Sequence, residues 1–120
     1  MEYIEKDEKL ILEKLKDLKL GEELIFQIDE DIFNIINLLN LHILSLDNLF
    51  KSYVREENDP VNKEVLNHFI EEYTTKTIEK ENLIKETLIK VLSYEGYIFF
   101  VRKRLKYFFE DVTKVLRITL

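Results

Sequence analysis

The scarcity of turn-forming residues constrains this chain more than any other feature. Its 120 residues include only two glycines, Gly21 and Gly96, and one proline, Pro60. All-β folds need a turn about every 8 to 12 residues, and Gly and Pro are the strongest turn signals. The chain is 46% apolar, and a chain of this size can bury a substantial core. We therefore predict one mainly α-helical domain over residues 1–120.

The N-terminal segment, residues 1–21, has helical periodicity. Ile4, Ile11, Leu15 and Leu18 share one face of a predicted helix from Ile4 to about Leu18. Gly21 is its predicted C-terminal cap. The sequence EELIFQI that follows (residues 22–28) fits either a short strand or the first turns of the next helix.

Two long helices follow and form the centre of the predicted fold. Asp29 is a predicted N-cap for a helix over residues 30–57, and Asp59 with Pro60 begins a helix over residues 60–93. A connection this short makes the two helices antiparallel neighbours. The predicted architecture is a long antiparallel helical hairpin within a small helical bundle.

The first of these two helices contains the most apolar stretch, FNIINLLNLHILSLDNLF. Its amides and Asp47 would be expensive in lipid, so we expect no membrane span. A heptad seam of seven apolar residues predicts one buried face: Ile32, Ile36, Leu39, Ile43, Leu46, Phe50 and Tyr53. Further apolar residues widen that side, which predicts a buried helix covered from two directions by a protein partner, a second copy, or both. The candidate partner face comprises Phe33, Leu38, Leu41, Leu44 and Leu49.

The last segment, residues 96–120, supports two predictions. The spacing of its apolar residues favours a helix at least as far as Arg104. Beyond it, the sequences KYFFE and VLRITL around DVTK fit a short C-terminal β-hairpin as well as a continuing helix.

No arrangement of residues points to catalysis or to a bound cofactor. His68 has Glu64, Glu71 and Glu72 at helical spacing, but one histidine beside surface-like glutamates is far from a di-iron pattern. His42 lies among leucines and is predicted to be a satisfied boundary residue. The chain has no cysteine. We expect no enzyme activity, no metal and no cofactor.

Charge is unevenly distributed along the chain. Residues 1–31 hold 11 acids and 5 bases, whereas residues 96–120 hold 2 acids and 6 bases, within a net charge of −6. The basic segment alternates with aromatics, a mixture that can bind single-stranded nucleic acid, although the overall charge opposes it. Its candidate contacts for nucleic acid or an acidic partner are Arg102, Lys103, Arg104, Lys106 and Tyr107.

The order of elements from Ile28 onward resembles a known family. A long helix containing LSLDNLFKSY precedes a second helix containing NKEVLNHFIEEYTTKT, and the stretch FFEDVTKVLRITL closes the chain. This order is similar to that of the small CXXX repeat peptide modification system proteins, which accompany radical peptide-maturation enzymes. The resemblance implies an accessory, non-catalytic role.

These observations together predict a small non-catalytic protein-interaction module, an accessory or adaptor to a partner protein. An inhibitor or immunity-type protein, such as a phage-encoded antagonist of a defence enzyme, fits the same small acidic format. A nucleic-acid-associated regulator is the second alternative. Since the first residues, MEYIEKDEKL, lack the basic start and apolar run of a secretory signal, we expect a cytoplasmic protein.

Overall fold

The structure, a computed structural model, describes residues 3–4, 6–55 and 63–120. It confirms a mainly α-helical fold with a C-terminal β-hairpin. In chain order its elements are α1 Glu8–Asp17, β1 Glu23–Gln27, α2 Glu30–Arg55, α3 Lys63–Lys103, β2 Lys106–Glu110 and β3 Val115–Thr119.

The chain forms two compact units. The first combines Met1–Phe33 with Lys85–Leu120, and the second is Asn34–Ile84. The first unit therefore contains the sheet, α1, the beginning of α2 and nearly half of α3, from Lys85 onward. The second contains the remainder of α2 and the first part of α3.

The sheet of the first unit has the strand order β1-β3-β2, with both pairs antiparallel. Leu116 of β3 lies between Phe26 of β1 and Phe109 of β2. Of the two alternatives for residues 106–120, the structure has the hairpin; Lys114 closes its turn with a left-handed φ of 55°. Of the two alternatives for residues 22–28, the structure has the strand, β1. Its buried side chains, Leu24 and Phe26, alternate with more exposed ones, as in a half-buried strand.

Helix α1 is shorter than predicted. Asp7 is its N-cap, because the carboxylate accepts hydrogen bonds from the backbone N–H groups of Lys9 and Leu10 at 3.0 and 3.4 Å. The N–H of Ile4 instead donates to the carbonyl of Ile25 in β1, at 3.0 Å. The predicted start at Ile4 is therefore wrong. Its predicted core-facing residues Ile11, Leu15 and Leu18 are all buried.

The predicted cap at Gly21 is also wrong in detail. The helix ends at Asp17, and the next residue, Leu18, has extended backbone angles. Gly21 has a φ of +89° in the turn that follows, where the N–H of Glu22 donates to the carbonyl of Lys19 at 3.1 Å. A positive φ favours glycine at this position.

Helix α3 is interrupted once, at Ser93, the residue at which the helix predicted over residues 60–93 ends. Ser93 has a φ of 67° and a ψ of 168°, and its hydroxyl accepts a hydrogen bond from the N–H of Gly96 at 3.3 Å. Ser93 thus acts as the N-cap of the last part of the helix. Gly96 is buried where α1 and α3 meet: a Cβ there would lie 3.5 Å from Cδ1 of Leu15.

The second unit is an antiparallel pair of helices, as predicted. Asp29 is the N-cap of α2, since its carboxylate accepts a hydrogen bond from the N–H of Asp31 at 2.8 Å. In the second unit, the rings of Tyr53 and Phe69 lie 6.2 Å apart between the two helices. The predicted cap formed by Asp59 and Pro60 lies outside the described residues.

Candidate protein interface

The face of α2 that points away from α3 is rich in exposed aliphatic side chains. We define the outer face as Ile35, Leu38, Leu41, Leu44 and Leu49, whose exposed fractions range from 47% to 66%. The first four follow one another at intervals of three residues and are neighbours on a helix surface. Single exposed apolar residues are common, whereas large contiguous apolar patches are rare on soluble monomers.

The heptad seam predicted from the sequence lies on the other side of α2 from Leu38, Leu41 and Leu44. Ile36 and Leu46 of that seam are buried, and Ile32, Leu39 and Ile43 are half-buried. The second cover predicted for this helix is not supplied by the chain itself, so cover by a protein partner or a second copy stays a prediction. α2 is covered along the seam and open along the outer face.

Phe33 does not belong to the outer face, contrary to the prediction. It is 1% exposed, and its ring meets that of Phe109 edge-on with 6.2 Å between centroids. The ammonium of Lys114 lies 4.6 Å from the same ring, within the range of a cation–π interaction. Phe33 is placed in the core because α2 begins against the sheet, which helical periodicity alone does not reveal.

The surface around the outer face carries almost no net charge. Between Ile32 and Tyr53 the only ionisable side chains are His42, Asp47 and Lys51. Asp47 and Lys51 form an ion pair at 2.9 Å. Nε2 of His42 lies 3.2 Å from the carboxylate of Glu72 on α3. The outer face therefore offers apolar contact area and little charge.

The His42–Glu72 pair also changes the interpretation of His68. Glu72 was predicted as a neighbour of His68 along α3, but in the structure its carboxylate contacts His42 on the other helix. Within the described residues, no group of three or more His, Cys, Asp or Glu side chains is placed to hold a metal ion.

A small apolar groove lies between the two helices of the second unit. It encloses about 180 Å³, a volume comparable to cavities of about 150 Å³ that hold a benzene-sized group. Three of the residues that line it, Phe50, Ile70 and Tyr73, are 38%, 47% and 40% exposed. The groove can accept one bulky apolar side chain. Its lining is Leu46, Asp47, Phe50, Phe69, Ile70 and Tyr73.

Only part of the predicted basic segment is exposed. Arg102, Arg104, Lys106 and Tyr107 are exposed. Lys103 instead turns inward, and its ammonium donates to the carbonyls of Leu15, Lys16 and Leu18 at 2.9, 2.9 and 3.1 Å. This cation therefore stabilises the C-terminal end of α1. The prediction of Lys103 as a contact for nucleic acid or an acidic partner is wrong.

The sheet contains an ion-pair network that the sequence did not reveal. Arg117 on the central strand donates to Glu110 of β2 through Nε and to Glu23 of β1 through Nη1. The hydrogen bond from Arg117 lowers the pKa of Glu110, and the same bond raises the pKa of Arg117. Only the strand order could have identified this network, because its members are separated by up to 94 residues.

Comparisons of this chain with protein-family models, curated proteins and solved structures return no match.

By length and composition, the segment Glu30–Tyr53 of α2 could cross a membrane, with a mean hydropathy of 1.2 over its best window. That segment also contains Asp47 and four asparagines. Charged and amide side chains are costly in lipid, so the absence of a membrane span stays our prediction.

Proposed function

We propose that this protein is a non-catalytic interaction module whose outer face on α2 binds a partner protein. The observation that carries the proposal is the row of exposed aliphatic side chains on a helix that carries almost no net charge. The partner would present a complementary apolar, weakly charged surface, such as the apolar side of an amphipathic helix. Such recognition fits the accessory role implied by the family resemblance.

The size of the outer face sets the expected affinity. Its first and last residues, Ile35 and Leu49, are 14 positions apart, which corresponds to about 21 Å along a helix. Burying a half-exposed leucine contributes about 1 kcal/mol, from about 1.5–3 kcal/mol for a fully exposed one. Association costs offset much of that gain. We therefore expect micromolar binding by the outer face alone and tighter binding where the partner also fills the groove.

Leu38 and Leu41 are the residues to substitute, because they are the most exposed members of the outer face, at 66% and 63%. The double variant Leu38→Glu/Leu41→Glu places two charges at positions that lose their contact with water when the partner binds. Asn82→Glu, on an exposed position of α3 in the same unit, is the matched control for added charge. All three proteins would be tagged and used to capture partners from the native host.

The captured protein is then purified and its affinity for each variant is measured at low and high salt. We expect the double variant to weaken binding at least tenfold, Asn82→Glu to have little effect, and salt to change the affinity little. Unaltered binding of the double variant would overturn the proposal. Binding of lipid vesicles that is lost in the double variant would assign the face to a membrane surface instead.

The partner's own activity distinguishes an adaptor from an inhibitor. Both functions use the same apolar surface, and they differ in what binding does to the partner. An adaptor leaves the partner's catalytic rate unchanged or raises it, whereas an inhibitor or immunity-type protein lowers it at stoichiometric amounts. Titrating the purified partner with this protein and with the Leu38→Glu/Leu41→Glu variant separates the two.

A further inference from the structure

Strand β2 lies at an edge of the sheet. In the order β1-β3-β2, β3 is its one strand neighbour within the described residues. Phe108, at its centre, is 63% exposed although it is a large aromatic residue, and Lys106 is exposed as well. Edge strands are templates for pairing with another chain. A strand edge with an exposed aromatic at its centre has the features of a contact strand.

The sequence of β2, KYFFE, is complementary to itself in one orientation. If two copies pair antiparallel about Phe108, Lys106 of each lies opposite Glu110 of the other, and Tyr107 lies opposite Phe109. Phe108 then faces Phe108 of the second copy. Aromatic pairs and opposite charges across antiparallel strands are both stabilising. A parallel arrangement in the same register would place lysine opposite lysine and glutamate opposite glutamate, which is destabilising.

We propose that β2 is the contact strand of a two-fold symmetric homodimer, in which two sheets join edge to edge into one of six strands. This arrangement forms a closed dimer, because each copy contributes the same strand to the interface. The proposal does not depend on the function proposed for α2. It concerns a different surface and a different partner, a second copy of this chain.

The overall charge of the chain opposes dimerisation, whereas the charges within β2 favour it. Each chain carries a net charge of −6, so two copies repel each other at long range. Within β2 the charges of Lys106 and Glu110 cancel. Arg117 already donates to one oxygen of the Glu110 carboxylate, Oε2, and a carboxylate can accept further donors at its other oxygen. Lys106 of the second copy can therefore bind Glu110 without displacing Arg117.

The first measurement is the mass of the protein by light scattering or sedimentation over a range of concentrations. The chain has a mass of 14.5 kDa, and we expect a concentration-dependent shift to twice that value. Lys106→Glu converts both attractive charge pairs into repulsive ones. We expect it to raise the dimer dissociation constant roughly tenfold or more. Arg102→Glu makes the same charge change at an exposed position outside the strand and should have little effect.

A cross-linking experiment checks the register independently of these charges. The chain has no cysteine, so Phe108→Cys creates a single thiol at the proposed two-fold axis. Directly opposed residues in antiparallel strands have Cα atoms about 4.5–5.5 Å apart, within the range of a disulfide. We expect Phe108→Cys to form a disulfide-linked dimer under mild oxidation. Val112→Cys is the control, because this residue is 91% exposed in the turn and its two copies would be roughly 20 Å apart.

Three outcomes would overturn the proposal. One is a wild-type mass equal to the single chain at every concentration. Another is a dimer that survives Lys106→Glu but dissociates in the Leu38→Glu/Leu41→Glu variant, since that dimer would form through α2. The third is equal cross-linking of Phe108→Cys and Val112→Cys. Failure of partner capture by α2 changes none of these readouts, so the two proposals fail separately.

Discussion

Replacing Lys103 with methionine tests the inward placement of this lysine most directly. Methionine keeps a long apolar stem but removes the ammonium that donates to the carbonyls of Leu15, Lys16 and Leu18. Two of the three hydrogen bonds, those to Leu15 and Leu18, lie in part-buried surroundings. The bond to Lys16 is exposed, so water can replace it there.

The magnitude follows from these surroundings. A part-buried carbonyl that loses its donor costs about 1 kcal/mol, and there are two of them. Removing a cation from a helix C-terminus costs about 0.3–1 kcal/mol more. We therefore expect Lys103→Met to lower the free energy of unfolding by about 2–3 kcal/mol. With a urea m-value of about 2 kcal/mol/M, the midpoint falls by about 1–1.5 M.

Urea unfolding followed by circular dichroism measures this change. The control is Arg102→Met, which removes the neighbouring cation from an exposed position and should shift the midpoint by less than about 0.25 M, that is, about 0.5 kcal/mol. If Lys103→Met and Arg102→Met unfold at the same urea concentration, Lys103 does not stabilise the end of α1. Lys103 would then again be a candidate contact for nucleic acid or an acidic partner, as predicted from the sequence.

Three further predictions concern the core and the sheet. Phe33→Ala should lower the free energy of unfolding by about 3–5 kcal/mol, since this ring is buried. Leu38→Ala on the outer face should leave that free energy within about 0.5 kcal/mol of wild type. Equal effects of the two variants in thermal unfolding would contradict the corrected placement of Phe33. Gly96→Leu should lower the free energy of unfolding in urea by about 1–3 kcal/mol. Its Cβ alone would lie 3.2 Å from Cβ of Leu92 and 3.5 Å from Cδ1 of Leu15, so the rest of the side chain must displace these neighbours. A neutral result would mean that α1 can move away. Glu110→Gln should weaken the dependence of stability on acid: the pKa of Glu110 lies below its ordinary value of 4.5, so its stabilisation is complete above that value and is lost as pH falls through the folded-state pKa. Unfolding measured between about pH 5 and pH 3 should therefore show a shallower loss of stability in the variant, and an unchanged slope would contradict the ion pair.

Much of the architecture follows from local pattern. The shortage of glycine and proline excluded an all-β fold, and heptad spacing identified the buried face of α2, with Ile36 and Leu46 in the core. The predicted strand KYFFE is β2. The predicted strand VLRITL is β3 except for its last residue, since β3 ends at Thr119. The choice between hairpin and helix could not be made from periodicity, because apolar residues here satisfy both repeats over a short run.

The candidate interface was predictable in part. Leu38, Leu41, Leu44 and Leu49 lie on one exposed side, as the width of the apolar pattern indicated. Phe33 belongs to the same pattern and yet packs against the sheet, because the packing of α2 changes along its length. The pattern contains no information on where that change occurs.

The sequence by itself determined that the two long helices form, where the charges lie and how little charge α2 carries, because these depend on residues within a few positions of one another. Only the tertiary structure decided which of those residues are buried and which stay exposed. Lys103 stabilises α1 through Leu15, 88 positions away, and Arg117 joins Glu23 across 94. Contacts of this kind depend on how distant elements pack. Their energies are comparable to those of the local preferences, so the final placement of a side chain follows from both.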